Sequence, residues 1–197
     1  MDTGRIGCIG RYRINLVDGA QLRNKDTDFN NYGHHDTNPS IPEGEIWLDQ
    51  TSDPRELTFF LIRALYERFM YDRGLPNNQV TSSAKALDTL LRREQPEGEV
   101  KTKFLTRFGD TDVWLVRGDQ VRKQYEPDFI LGGNGYRYDF IPKTEVWIED
   151  ILSPDDKAFT LLHELYETAL MREGRDYDSA HEQTTYLEKK LRSLVSV

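Results

Sequence analysis

Five side chains near the end of this 197-residue chain have the chemistry to hold a divalent cation and to move a proton beside it: His163, Glu164, Glu167, His181 and Glu188. Imidazole nitrogens and carboxylate oxygens are donors that zinc accepts, and a neighbouring carboxylate can serve as a general base toward water. His163 and Glu167 stand four apart in the run LLHELYE, so on a helix they share a face one turn apart. With Leu162 set at zero they fall at about 100° and about 140°, flanking an apolar stripe centred near about 20°. Glu164 lies near about 200°, where a carboxylate can reach a water on a metal without being a ligand itself. The bland alternative for His163 and Glu167 is an ordinary helix pair contributing about 0.2 to 0.5 kcal/mol.

His181 and Glu188 are seven apart and therefore on one stripe of a following helix, again to one side of its apolar face. If the two helices form an antiparallel hairpin with apolar faces inward, both polar stripes emerge on the same side. Depth favours Glu188 as the third ligand, since it and His163 each lie roughly 15 Å from the hairpin turn and His181 only about 4.5 Å. Comparison with the rest of the chain favours His181, and both remain open at this point.

That comparison exists because the scaffold is written twice. EIWLD at 45 to 49 returns as EVWIE at 145 to 149, and LVDGAQLR at 16 to 23 returns as LVRGDQVR at 115 to 122. Leu65, Tyr66, Glu67, Gly74, Leu87 and Leu91 recur as Leu165, Tyr166, Glu167, Gly174, Leu187 and Leu191. Where the second copy has His163, Glu164 and His181, the first has Arg63, Ala64 and Thr81, while Asp88 keeps an acid opposite Glu188. A residue that one copy discards on the same scaffold is not required by the scaffold. The first copy is thus expected to carry a degenerate site, with Arg63 and Glu67 making a plain helix pair.

The expected architecture is α+β, with two tandem homologous lobes, each a small antiparallel β-sheet followed by a helical hairpin. The lobes are placed at 1–95 and 104–197, joined by a polar linker at 96–103 that contains Pro96 and Gly98. Strands are expected at 11–17 and 20–24 around Asp18-Gly19, and at 113–117 and 119–123 around Gly118. The alternation around Trp47 and Trp147 predicts one buried and one exposed sheet face. Pro54 and Pro154 suit the first turn of each lobe's first helix, Gly74 and Gly174 end it, and Asp178 is the expected cap of the last helix. GGNG at 132 to 135 lacks the lysine and hydroxyl of a phosphate loop and reads as a turn. His34 and His35 sit in the matching loop of the first lobe, with Asn134 and Gly135 as their expected counterparts, and could complete the second lobe's site if the lobes face each other.

HELYE resembles the signature helix of zincin metallopeptidases, H-E-x-x-H, with Glu167 in place of the second histidine. The resemblance implies His163 as a zinc ligand and Glu164 as general base, and Glu188 parallels the glutamate that some zincins take from the following helix. A carboxylate in the ligand set makes the site more anionic and widens the choice of ion from zinc to manganese or iron. The second lobe also resembles, over most of its length, uncharacterised small proteins of phage and mobile-element type, in which a strand like TEVWIED precedes HELYE and the next helix opens like YDSAH. That likeness adds Tyr177 and Asp178 to the implied site and points to a metal-dependent hydrolase or peptidase without an established substrate; a protein or peptide is the expected substrate or partner by analogy with the peptidases.

Net charge of −8 disfavours direct nucleic-acid binding and leaves a second expectation, a non-catalytic acidic module that binds or inhibits a host or partner protein. Cys8 is the sole cysteine, so an internal disulfide is excluded. With no apolar run of signal-peptide or membrane-spanning length, a cytoplasmic location without membrane contact is expected.

Overall fold

The computed structural model describes residues 4–26, 29 and 32–195, and the chain divides into two compact units, Met1–Glu97 and Gly98–Val197. The first runs β1 (Gly4–Ile9), β2 (Tyr12–Val17), α1 (Gly19–Arg23), β3 (Gly33–His35), β4 (Glu45–Asp49), α2 (Pro54–Tyr71) and α3 (Asn77–Arg92). The second repeats this as β5 (Lys101–Phe108), β6 (Thr111–Val116), α4 (Gly118–Gln124), β7 (Gly132–Asn134), β8 (Glu145–Glu149), α5 (Pro154–Arg172) and α6 (Tyr177–Val195). The fold is α+β, with a sheet followed by a helical hairpin in each unit. Residues 101–103, assigned above to the linker, belong to β5, an outer strand that opens on the polar residues Lys101, Thr102 and Lys103.

The sheets are mixed, which corrects the antiparallel expectation. Their strand orders are β1-β2-β4-β3 and β5-β6-β8-β7, and the central pairs β2/β4 and β6/β8 are parallel. Adjacent parallel strands need a crossover of about a dozen residues or more, and the segments carrying α1 with β3 and α4 with β7 supply it. The stretches expected as strands at 20–24 and 119–123 lie largely in these short helices. Asp18 caps α1 by accepting from the Gln21 N–H. Gly19 and Gly118 are glycines because the acid ending the tryptophan strand packs against them: an added Cβ would lie 2.0 Å from Asp49 Oδ2 and 2.3 Å from Glu149 Oε2. Those acids pair with buried arginines, Arg23 to Asp49 at 2.8 Å and Arg122 to Glu149 at 2.7 Å. Removing one partner of such a pair costs about 3 to 5 kcal/mol, which explains why each copy ends this strand in an acid.

Both faces of the tryptophan strands are covered, so the alternation separates two cores instead of core from solvent. In the second unit Val113, Val146, Ile148 and Leu152 pack with Leu161 and Leu165 of α5, while Trp147 joins Val116, Val121, Phe129 and Ile141 on the α4 side. The hairpin is fixed at both ends. Gly174, at φ 95°, ends α5, and the Arg175 N–H donates to the Leu170 carbonyl at 3.1 Å, a Schellman closure that glycine permits. Asp176, not Asp178, caps α6, its Oδ1 accepting from the Ser179 N–H at 3.0 Å. At the far end buried Arg192 of α6 reaches Asp156 of α5 at 3.1 Å, as Arg92 reaches Glu56 at 2.8 Å in the first unit. Among the described residues no helix is long and apolar enough to cross a membrane.

Candidate metal centre

Helices α5 and α6 bring three donor atoms to one point. His163 Nε2 lies 3.2 Å from His181 Nδ1, His181 Nδ1 lies 2.9 Å from Glu167 Oε2, and Glu167 Oε2 lies 3.5 Å from His163 Nε2. Bonds of about 2.0 to 2.1 Å at tetrahedral angles put zinc ligands about 3.3 Å apart, so two nitrogens and one carboxylate oxygen at these separations fit that geometry. The Glu167 side chain is 3% exposed, that of His163 13% and that of His181 46%, which leaves the cluster closed at its base and open at His181. Catalytic metal sites keep such an open side for water and substrate.

Glu188 is not in this triangle, although depth along the helices favours it. Its Oε2 takes the proton of His163 Nδ1 at 2.8 Å, and its Oε1 accepts from Arg192 Nε at 2.8 Å. The His163 ring lies between the levels of the two α6 residues and presents one nitrogen to each, so His181 supplies the donor that depth alone assigned to Glu188. A carboxylate on Nδ1 places the proton there and leaves the Nε2 lone pair for the cluster, the usual support of a metal-binding histidine.

The residue that sequence reasoning missed is Asn134, the last residue of β7 and fully buried. Its Nδ2 donates to Glu164 Oε2 and to Glu167 Oε1, each at 2.9 Å, while its Oδ1 accepts from the backbone N–H groups of Tyr136 and Arg137 at 3.0 and 3.1 Å. One amide thereby fixes the neighbouring carboxylates and leaves Glu167 Oε2 to the cluster. Gly135 has no room for a Cβ, which would stand 2.3 Å from the Pro142 carbonyl oxygen. The glycines beside Asn134 thus reflect close packing, and none of those at 132 to 135 has a positive φ. The signal available in the sequence was an asparagine in an apolar and glycine-rich strand.

Sheet register changes the pairing of the two copies here. Asn134 lies opposite Val146 and His35 opposite Ile46, so His35, not His34, is its counterpart. His35 Nδ1 accepts from the Thr37 N–H at 3.4 Å, and its Nε2 donates to Glu67 Oε2 at 2.8 Å. Glu67 Oε1 accepts from Arg63 Nε at 3.0 Å, as expected of that pair, and Arg63 also lies 3.9 Å from Asp88. His34 Nδ1 accepts from the His35 N–H at 2.9 Å, and burial, followed by the neighbouring His35, holds its pKa below the ordinary value. Both histidines therefore have partners within their own unit. In the second unit Tyr177 stacks on His181 with ring centroids 5.3 Å apart, whereas Asp178 is exposed in the first turn of α6 and makes none of these contacts.

The electrostatics are those of a cluster short of positive charge. Burial opposes ionisation of His163, but Glu167 and Glu188 outweigh it and hold the imidazolium up to about 10. Burial, reinforced by Glu167, raises Glu164 above the usual carboxylate range. Glu167 is held low against its burial by the hydrogen bonds of His163, His181 and Asn134, and Glu188 against its own by His163 and Arg192.

Comparison with known proteins adds no relative: no family model, no curated protein and no solved structure matches this chain.

Proposed function

We propose that the second unit is a single-metal hydrolase, zincin-like in its use of a histidine-glutamate helix, with a peptide bond as the default target. The observation that carries this is the triangle of His163 Nε2, Glu167 Oε2 and His181 Nδ1 at 2.9 to 3.5 Å. Zinc is the first choice, with manganese and iron behind it, because two imidazoles and one carboxylate in a small cage suit a tetrahedral ion. When bound, such a cation supplies Lewis acidity toward water and toward the carbonyl under attack. Glu188 holds the His163 tautomer, and Asn134 presents one oxygen of Glu167 while steadying Glu164. Glu164 is the general base that takes the proton of the attacking water and returns it to the leaving amine.

The test is elemental analysis of protein purified without chelator or affinity tag. About one equivalent of zinc, manganese or iron per chain, lost in His163→Ala, is the expected result; metal-free wild-type protein of normal stability would refute the proposal. Glu164→Gln should keep its metal and lose at least about a hundredfold in any hydrolytic activity found. Unchanged activity would remove Glu164 from the base role.

A second reading, a non-catalytic acidic module that binds a host or partner protein, has one observation in its favour. Phe104, Leu105 and Phe108 on β5 are 45%, 43% and 50% exposed, more apolar surface than one outer strand ordinarily leaves open. Metal-free protein would turn attention to that strand.

A further inference from the structure

The cluster has an acidic interior but a basic rim. Arg137 is exposed, and its guanidinium lies over the Tyr177 ring at 4.3 Å, while Tyr177 in turn stacks on His181 at 5.3 Å. The Arg137 backbone is pinned to the base of the site, its N–H donating to Asn134 Oδ1 at 3.1 Å. Among the described residues it has no carboxylate partner. Arg107, Arg117, Arg122, Arg172 and Arg192 of the same unit each pair with an aspartate or glutamate, and Arg175, exposed in the hairpin turn, is the other arginine of this unit with no ion pair among the described residues. In a chain of net charge −8, an arginine held by aromatic stacking beside a metal-type cluster and left without an acid is unusual.

The first unit again serves as a control. Its corresponding loop, Asp36–Ser40, contains no basic residue, and Asn77 stands where Tyr177 stacks. The arginine and tyrosine at these positions are therefore absent from the copy that lacks the histidine cluster, where Arg68, paired with Asp36 and Asp72, lies over Tyr71 beside His35 instead. Structural needs of the loop do not explain Arg137, since the other copy builds a similar turn without it.

We propose that Arg137 recognises an anion on the substrate, and that the substrate is an acyl compound with a carboxylate beside the scissile carbonyl, as at the C-terminal residue of a peptide. A guanidinium carries five N–H donors, so one that lies over the Tyr177 ring and donates to its hydroxyl keeps a pair that matches a carboxylate. In such a substrate the carboxylate lies within one residue, about 3.5 Å, of the scissile carbonyl, so the anion would sit on the guanidinium and the carbonyl at the open side of His181. The reaction is hydrolysis: water adds its oxygen to the acyl carbon, the C–N bond breaks, and the amine leaves with the proton carried by Glu164. The products are a shortened acid and a free amino acid.

This inference rests on the metal-hydrolase reading, and the experiment separates the two. Cobalt(II) is added to metal-free protein, and its absorption bands are followed while succinate, succinamate (its monoamide) or acetate is titrated in. Wild type is expected to bind succinate at least about tenfold more tightly than succinamate. Arg137→Gln should abolish that preference while leaving acetate binding unchanged, and Arg137→Lys should retain part of it. Equal binding of succinate and succinamate by wild type, or a preference that survives in Arg137→Gln, overturns the role of Arg137 with the metal site intact. Failure of wild type to take up cobalt overturns the metal reading itself, and this inference with it.

Discussion

The two units fill the same cage with different side chains. In the first, Arg63 lies between Glu67 and Asp88, and His35 closes the remaining side of Glu67. In the second, His163 lies between Glu167 and Glu188, Asn134 replaces His35, and Glu164 replaces Ala64. Going from first to second, one fixed positive charge is lost and one carboxylate is gained, a change of two negative charges with neutral imidazoles. The outer supports stay, since Arg92 and Arg192 hold Asp88 and Glu188 at 2.8 Å each. A guanidinium that travels with the chain satisfies the first cage, and a divalent cation has the charge that would satisfy the second. Two buried carboxylates without a counter-charge are costly to leave bare, and the proton affinities of His163 and Glu164 are raised accordingly.

The most demanding way to break this comparison is to convert one cage into the other. Arg63→His, Ala64→Glu and Thr81→His, with His35→Asn, should raise metal content from about one to about two equivalents per chain. A folded variant that gains no metal would show that the cage alone does not make the site. A smaller effect is expected from the supports. Asn134→Ala and Glu188→Gln should each weaken metal affinity about 10- to 100-fold, read by competition with a chelator. Asn134→His, which copies the first unit, should lose less than Asn134→Ala. The smallest effect concerns the first unit alone. Glu67 is held below its ordinary pKa by His35 and Arg63 against its burial. A depressed carboxylate contributes stability above its unfolded pKa of about 4.3 and loses it as pH falls through the folded value. The stability difference between wild type and Glu67→Gln, expected at about 1 kcal/mol near neutral pH, should therefore shrink below about pH 4 in urea titrations. A difference independent of pH would mean that the Glu67 charge contributes nothing.

What could be read from the residues alone, and what could not, divides along sequence distance. Period and repetition revealed the duplication, both helical hairpins, the tryptophan strands and the proline and glycine boundaries, because each depends on neighbours within a few positions. They also placed His163, Glu164 and Glu167 on one helix and His181 and Glu188 on the next. The short helices after Asp18 and Arg117 were hidden, since their glycines are dictated by Asp49 and Glu149, 30 and 31 residues away. The parallel central strands were hidden for the same reason: pairing is decided by a crossover and leaves no mark on local alternation.

The sequence by itself determined that one of two copies carries imidazoles and an extra carboxylate on the helices of a shared scaffold, since this needs only comparison of matched positions. Only the tertiary structure decided between His181 and Glu188, moved the partner of Asn134 from His34 to His35, and brought Asn134 beneath both acids. The first and last of those outcomes turn on where a side chain ends, and the second on the register between strands. An imidazole spanning two helical levels, or an amide reaching from strand to helix, is fixed by packing between elements that the order of residues does not record.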